Sequence, residues 1–231
     1  MYNLAKGLSD LGNEIKALAI QPLPKGGESQ PAYRQAGRSE EAPAYSTYHA
    51  SEGGTIETVY IDTSVKVWDA FTNLFSSESY HIKRFISKDF ENKLIEILKN
   101  GKFDIIQLES LFVTPYINCI RKYSNAKVVL RAHNVEFEIW EHMTATCKNP
   151  VKKAYLKLLT KRLRQYELNQ LNSYDGIAAI THRDADIFKK MGCKVPITDI
   201  PVGIDISEWD ENLHSTSSNQ SAVGSRQSAP I

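Results

Sequence analysis

VVLRAHNVEFEIW, Val128 to Trp140, is an apolar run rich in β-branched residues that stops abruptly at Arg131, His133 and Asn134, with an acidic segment directly behind it. A short continuous apolar run reads as a strand buried on both faces, which is the pattern of a parallel sheet covered by helices. The imidazole and the amide at its tip admit two readings. They are ordinary polar residues that close a strand and open a helix, or they are the working end of a site.

The segments on either side carry the same pattern. Upstream, FDIIQLE (Phe103 to Glu109) is another short apolar run, and downstream come YDGIAAIT (Tyr174 to Thr181) and ITDIPVGID (Ile197 to Asp205). Further upstream, EIKALAI (Glu14 to Ile20) and TIETVYI (Thr55 to Ile61) read as strands. Helical patterns lie between them. Leu4, Ala5, Leu8 and Leu11 share one stripe ending at Gly12, a left-handed C-terminal cap. Ile82, Phe85, Ile86, Phe90, Leu94, Ile97 and Leu98 recur at helical spacing, with a break near Ser87. A helical stretch passes through Ile117 and Ile120. Asn149-Pro150 is an N-cap and first-turn proline, opening a long helix to about Asn172. Thr181 with Asp184 opens a further helix that ends at Gly192. Strands alternating with helices predict an α/β fold, a doubly wound and mainly parallel sheet of the Rossmann-like kind.

Ligands of such sheets bind beyond the carboxyl ends of the strands. The four later strands end in Glu109, in His133 and Asn134, in Thr181, and in Pro201, Gly203 and Asp205. If the strands are parallel, all four tips share one edge, and His133 lies where a cleft belongs. Thr181 reads as a cap. Glu136, Glu138 and Glu141 read as charges near a helix start, where the dipole favours them. HNVEF has neither the HExxH nor the HxxEH spacing, so no metal site is expected.

Composition bounds the rest. With 28 basic and 27 acidic side chains the net charge is +1, so no global field recruits nucleic acid. Cys119, Cys147 and Cys193 are sparse and odd in number, which fits a reducing, cytoplasmic compartment. The first residues carry charges where a signal peptide needs an apolar stretch, and no run reaches the roughly 20 apolar residues of a membrane helix. KKAYLKLLTKRLR (Lys152 to Arg164) holds six cations and no acid, beside an apolar stripe of Val151, Tyr155, Leu158, Leu159, Leu163 and Tyr166. This is a solvated face on a packed helix, or one that meets anionic lipid at the inner face of a membrane through Lys152, Lys153, Lys157 and Lys161. Residues 21–54, with Pro22, Pro24, Pro31 and Pro43 and with Gly26, Gly27, Gly53 and Gly54, read as one long mobile loop. Residues 1–209 form the expected domain and 210–231 a disordered Ser-rich tail.

The runs MYNLAKGLSDLGNEI, FDIIQLESLFVTPYI, VVLRAHNVEFEIW and YDGIAAITHRDADIFKKMGC, closing with IPVGID, together resemble the N-terminal, acceptor-side domain of glycosyltransferase family 4. The resemblance implies half of a two-domain GT-B fold. It implies a metal-independent enzyme, with no cofactor, that moves a sugar from a nucleotide-sugar donor to a hydroxyl of a glycan, polysaccharide or lipid-linked acceptor. His133 would be the catalytic-side histidine facing the transferred sugar, with Asn134, Glu109, Gly203 and Asp205 on the substrate rim. Family members begin with a strand and a Gly-rich turn ahead of the helix that here starts at Met1, and they carry a donor-binding second domain. The resemblance therefore implies a chain truncated at both ends, lacking its first strand, inactive alone and poorly folded. A non-catalytic sugar- or lipid-binding module and a nucleotide-sugar epimerase of related fold are the alternative readings.

Overall fold

The computed structural model describes residues 7–22, 45–49, 55–64, 66, 68, 72–74, 76, 78–201 and 203. Most of the 21–54 stretch, the 210–231 tail and Asp205 lie outside the described residues.

Among the described residues, seven strands pair in two groups. β1 (Lys16–Pro22) runs parallel to β3 (Thr55–Ile61), with Lys16 opposite Thr55. β2 (Tyr45–His49) lies antiparallel on the other side of β3, with Tyr45 opposite Val59. This corrects the reading of 21–54 as a single loop. Tyr45, Thr47 and Tyr48 favour a pleated surface, and β3 offers them a hydrogen-bonding edge. Pro22 lacks an N–H, and it is tolerated as the last residue of an edge strand.

The second group is β4 (Ile105–Leu108), β5 (Lys127–Ala132), β6 (Gly176–Ala179) and β7 (Ile197–Asp199), in that order and all parallel. The architecture is the parallel, Rossmann-like α/β arrangement that the apolar runs imply. Its strands are divided between two hydrogen-bonded sheets, with β1 and β4 each at an edge. That edge position explains why Ile105 is 63% exposed although its run reads as fully buried.

One core serves both sheets. Val59 and Ile61 of β3 join Leu108, Val128, Leu130 and Ile177 of the other sheet in a single apolar cluster. Helix α2 (Lys88–Asn100) supplies Phe90, Leu94 and Leu98 to the same cluster. The break expected near Ser87 is present. A short α1 (Tyr80–Lys83) precedes it, and the Ser87 side chain caps α2 by accepting from the Phe90 N–H. An ion pair also ties α2 to β3, Lys93 Nζ standing 2.6 Å from Glu57 Oε2 with both side chains buried. Burial pushes the Glu57 carboxyl up, but Lys93 and Lys16 outweigh it and hold the group below its ordinary value.

Residues Leu111–Tyr116 form a 3-10 turn after β4 and lead into α3 (Ile117–Tyr123). Helix α4 (Glu136–Thr146) packs along α5 (Pro150–Gln170), which also meets α1. Asn149 caps α5 as read, its side chain accepting from the Lys152 N–H at 3.0 Å. The buried stripe of α5 differs from the expected one. Leu156, Leu159, Thr160, Leu163 and Glu167 are buried, whereas Val151 is 79% exposed. Thr160 faces Thr144 of α4 at 3.2 Å, so the helix-helix seam takes polar residues that an apolar stripe does not reveal. Helix α6 (His182–Lys190) starts from Thr181, whose hydroxyl accepts from the Asp184 N–H at 3.1 Å. Gly12 and Gly192 both have positive φ, 85° and 94°, the left-handed conformation that ends a helix at low steric cost.

Candidate functional site

The parallel registers put the tips of β4, β5, β6 and β7 at one edge, where Glu109, His133 and Thr181 follow the ends of their strands. Leu108 pairs with Leu130, so Glu109 leaves β4 just as β5 approaches His133. The His133 Nε2 stands 3.0 Å from Glu109 Oε2. The other Glu109 oxygen accepts from the Gln107 side-chain amide, which fixes the carboxylate from behind. The Glu109 side chain is 19% exposed and that of His133 41%, so the carboxylate is set back while the ring meets solvent. If Nε2 carries the proton it donates to Glu109, and Nδ1 is left as an acceptor for a hydroxyl. Asn134 is exposed beside the ring.

The floor behind His133 is the start of α4. The sequence reading placed Glu136 and Glu138 as first-turn charges, and both are there. Burial raises the Glu136 carboxyl above its ordinary value, with His133 acting in the opposite sense. The stronger group is one the sequence did not announce. Glu167 of α5 is 4% exposed, and its two oxygens accept from the Glu136 and Phe137 N–H groups at 3.1 Å each. It supplies a cap that Val135, the residue at the cap position, has no side-chain oxygen to provide. Burial pushes its carboxyl up to about 7, although the two N–H bonds oppose that shift.

The rim continues past β5. Arg183 reaches Glu138 at 2.7 Å and joins the start of α6 to the start of α4. His182 stands 3.4 Å from Asp199 at the end of β7. Neither residue was read as part of the edge; the only sequence signal was their position directly after Thr181. Thr181 itself is engaged as a cap. Gly203 is exposed four residues beyond β7, and Asp205 lies outside the described residues.

On the basic helix, Lys152, Lys157 and Lys161 are exposed. Lys153 is half-buried and donates to the Ala145 carbonyl near the end of α4 at 3.0 Å. Among the described residues no helix is long and apolar enough to cross a membrane, and no group of three or more His, Cys, Asp or Glu side chains is placed to hold a metal ion.

With the edge assembled, residues 1–208 match the model of Glycosyltransferase Family 4. The chain belongs to glycosyltransferase family 4. Among solved structures, this family 4 chain is similar to a sucrose-phosphate synthase from Thermosynechococcus elongatus, at 11% identity and a TM-score of 0.43, over 96% of this chain and 93% of that one. It is likewise similar to an alpha,alpha-trehalose 6-phosphate synthase from Burkholderia multivorans, at 12% identity and a TM-score of 0.43, over 92% of this chain and 53% of that one. No curated protein matches the chain.

Proposed function

We propose that this family 4 chain is the acceptor-side domain of a metal-independent transferase that moves a sugar from a nucleotide-sugar donor to a hydroxyl acceptor. The observation that carries the reading is the His133–Glu109 pair, 3.0 Å apart at the carboxyl edge of a parallel sheet. A glycosyl transfer builds positive charge on the sugar ring as the bond to the donor phosphate breaks. It also needs the sugar and the attacking hydroxyl held in fixed orientation. An imidazole whose Nε2–H is anchored on a recessed carboxylate presents Nδ1 as an acceptor for a sugar hydroxyl. The nearby carboxylate favours the positive charge as it develops. Asn134 adds an amide donor and acceptor on the same rim, and Gly203 and Asp205 complete it in this reading. Donor contacts belong to a second domain, as the family resemblance implies.

The basic face of α5 supports a weaker companion reading, in which Lys152, Lys157 and Lys161 rest the domain against an anionic membrane on its cytoplasmic side. The transferase reading is tested by transfer of labelled sugar. The chain is joined to a family 4 donor-binding domain and offered a panel of nucleotide sugars with hydroxyl acceptors, with and without a metal chelator. Chelator-resistant transfer that is lost in His133→Ala is the expected result. Transfer that stops with the chelator overturns metal independence, and conversion of the nucleotide sugar without an acceptor replaces transfer by epimerisation.

A further inference from the structure

Helix α5 sends two consecutive side chains to the two segments that carry Glu109 and His133. Tyr166 reaches the 3-10 turn that follows Glu109. Its Oη stands 2.8 Å from Thr114 Oγ1, and because the Thr114 hydroxyl donates to the Leu111 carbonyl at 2.7 Å, Tyr166 is the donor. Thr114 is fully buried, and Ser110 closes the other end of the same turn by accepting from the Phe112 N–H at 2.9 Å. Glu167 reaches the segment that follows His133, where it accepts from the Glu136 and Phe137 N–H groups. Arg164 of the same helix lies over the Phe137 ring, 4.9 Å from its centroid. Leu163 packs with Leu111 in a small second core, against which Phe112, Trp140 and Tyr166 are half-buried. The turn after β4, the start of α4 and α5 are thus fastened to one another.

The fastening bears directly on the pair. His133, Asn134 and Val135 form a three-residue link between the end of β5 at Ala132 and the start of α4 at Glu136. The sheet fixes one end of that link, Glu167 fixes the other, and the buried Val135 side chain anchors it to the main core. The imidazole itself is exposed, and its one hydrogen bond among the described residues is the contact with Glu109. A hydrogen bond at this distance weakens steeply once its partners separate, so a shift of about 1 Å in either segment would break it. The route chosen for the cap is also a costly one. A Ser, Thr or Asp at the cap position would satisfy the same donors locally. Val135 stands there instead, and a carboxylate from α5 is buried to do the task. What the distant cap adds over a local one is a connection: the residue that holds the start of α4 is the neighbour of the residue that holds the turn after Glu109.

We propose that Tyr166 and Glu167 are positioning residues for the His133–Glu109 pair, acting from α5 through Thr114 on one side and through the first turn of α4 on the other. That the pair works on a sugar rests on the transferase reading; the holding of the pair does not. Neither Tyr166 nor Glu167 bonds to His133 or Glu109, so each acts only by fixing the backbone that carries them.

The test is the response of the His133 ring to Glu109→Gln, read by NMR on the full chain with isotope-labelled histidine. The ring signals are assigned by their loss in His133→Ala. In the wild-type background Glu109→Gln should shift those signals, because the carboxylate beside Nε2 is gone. In the Glu167→Gln and Tyr166→Phe backgrounds the response should fall to less than about half, since the ring no longer rests on the carboxylate. Thr160→Val breaks the other hydrogen bond between α4 and α5, 3.2 Å long, and is the structural control. It should lower the thermal midpoint and leave the response whole. Tyr166→Phe keeps its ring and the Glu167 carboxylate, so it serves if Glu167→Gln fails to fold. A wild-type ring indifferent to Glu109→Gln, a response undiminished in both variants, or one lost equally in Thr160→Val overturns the proposal. Turnover separates it from the transferase reading. In the chain joined to a family 4 donor-binding domain, Glu167→Gln should lower kcat about tenfold with KM nearly unchanged, and add nothing in the His133→Ala background. An equal loss in that background makes Glu167 a stability residue only and also overturns the proposal. A response that depends on Glu167 in a protein that never transfers sugar leaves the positioning and removes the reaction. Transfer with an undiminished response leaves the transferase and removes the positioning.

Discussion

The carboxylate of Glu167 on α5 caps the start of α4 by accepting from the Phe137 N–H, thirty residues earlier in the chain, and from its neighbour Glu136. The contact joins the helix behind His133 to the helix that carries the basic face. It also puts an acid where its charge is costly. Burial raises the group from an ordinary value of 4.5 to about 7, with Glu136 and Glu138 adding repulsion.

Stability should therefore depend on pH in a defined sense. The native state keeps the proton up to about pH 7, whereas the unfolded chain releases it near 4.5. The contribution is complete below the unfolded value and is lost as pH rises through the native one, an effect of roughly 3 kcal/mol at most. Glu167→Gln removes the titration and sets an amide NH2 against one of two backbone donors, costing about 1–3 kcal/mol. Thermal unfolding from pH 4 to 8 checks this. The wild-type advantage over Glu167→Gln should be largest at low pH and shrink toward pH 8, and an advantage that grows with pH contradicts the assignment.

Asp175 gives a dependence of opposite sign. Its carboxylate accepts from the Val128 N–H at 2.8 Å and from Arg121 at 2.7 Å, joining the start of β5 to the residue before β6. The Val128 N–H, then Arg121, hold its pKa down at about 2. That stabilisation is present above the unfolded value and is lost as pH falls through about 2. Asp175→Asn should cost about 1 kcal/mol at pH 7, since the site is partly open to water. The difference between the two proteins in urea melts should disappear toward pH 2; a constant difference contradicts it.

Sequence reached the frame of the molecule wherever one residue type has one local task. Asn149-Pro150, Thr181, Gly12 and Gly192 each mark a helix end by their own chemistry, and the structure uses them so. Likewise the short apolar runs fixed the strands, and through them the shared edge of Glu109 and His133. What stayed hidden depends on partners distant in sequence. Glu167 looks like one more polar residue on a charged helix until α4 is packed beside it. β2 is masked by the Pro- and Gly-rich sequence before it, and it exists because β3 offers an edge.

The basic face of α5 yields a salt-dependent prediction. Replacing Lys152, Lys153, Lys157 and Lys161 by glutamine should weaken co-sedimentation with anionic vesicles, most visibly at low ionic strength, if the face docks on a membrane. Lys153 should contribute least, because it is held at the end of α4. Sedimentation unchanged by all four substitutions makes this a solvated face.

The most direct test of the central claim is the turnover of His133→Ala, Glu109→Ala and the double variant, in the chain joined to a family 4 donor-binding domain. His133 is exposed, so its removal should leave the thermal midpoint nearly unchanged while lowering kcat about a hundredfold. Glu109 acts through the imidazole in this account. Its removal alone should cost less, and in the His133→Ala background it should add almost nothing. A folded His133→Ala protein that turns over at nearly the wild-type rate would contradict the account and return His133 to the ordinary closing of a strand.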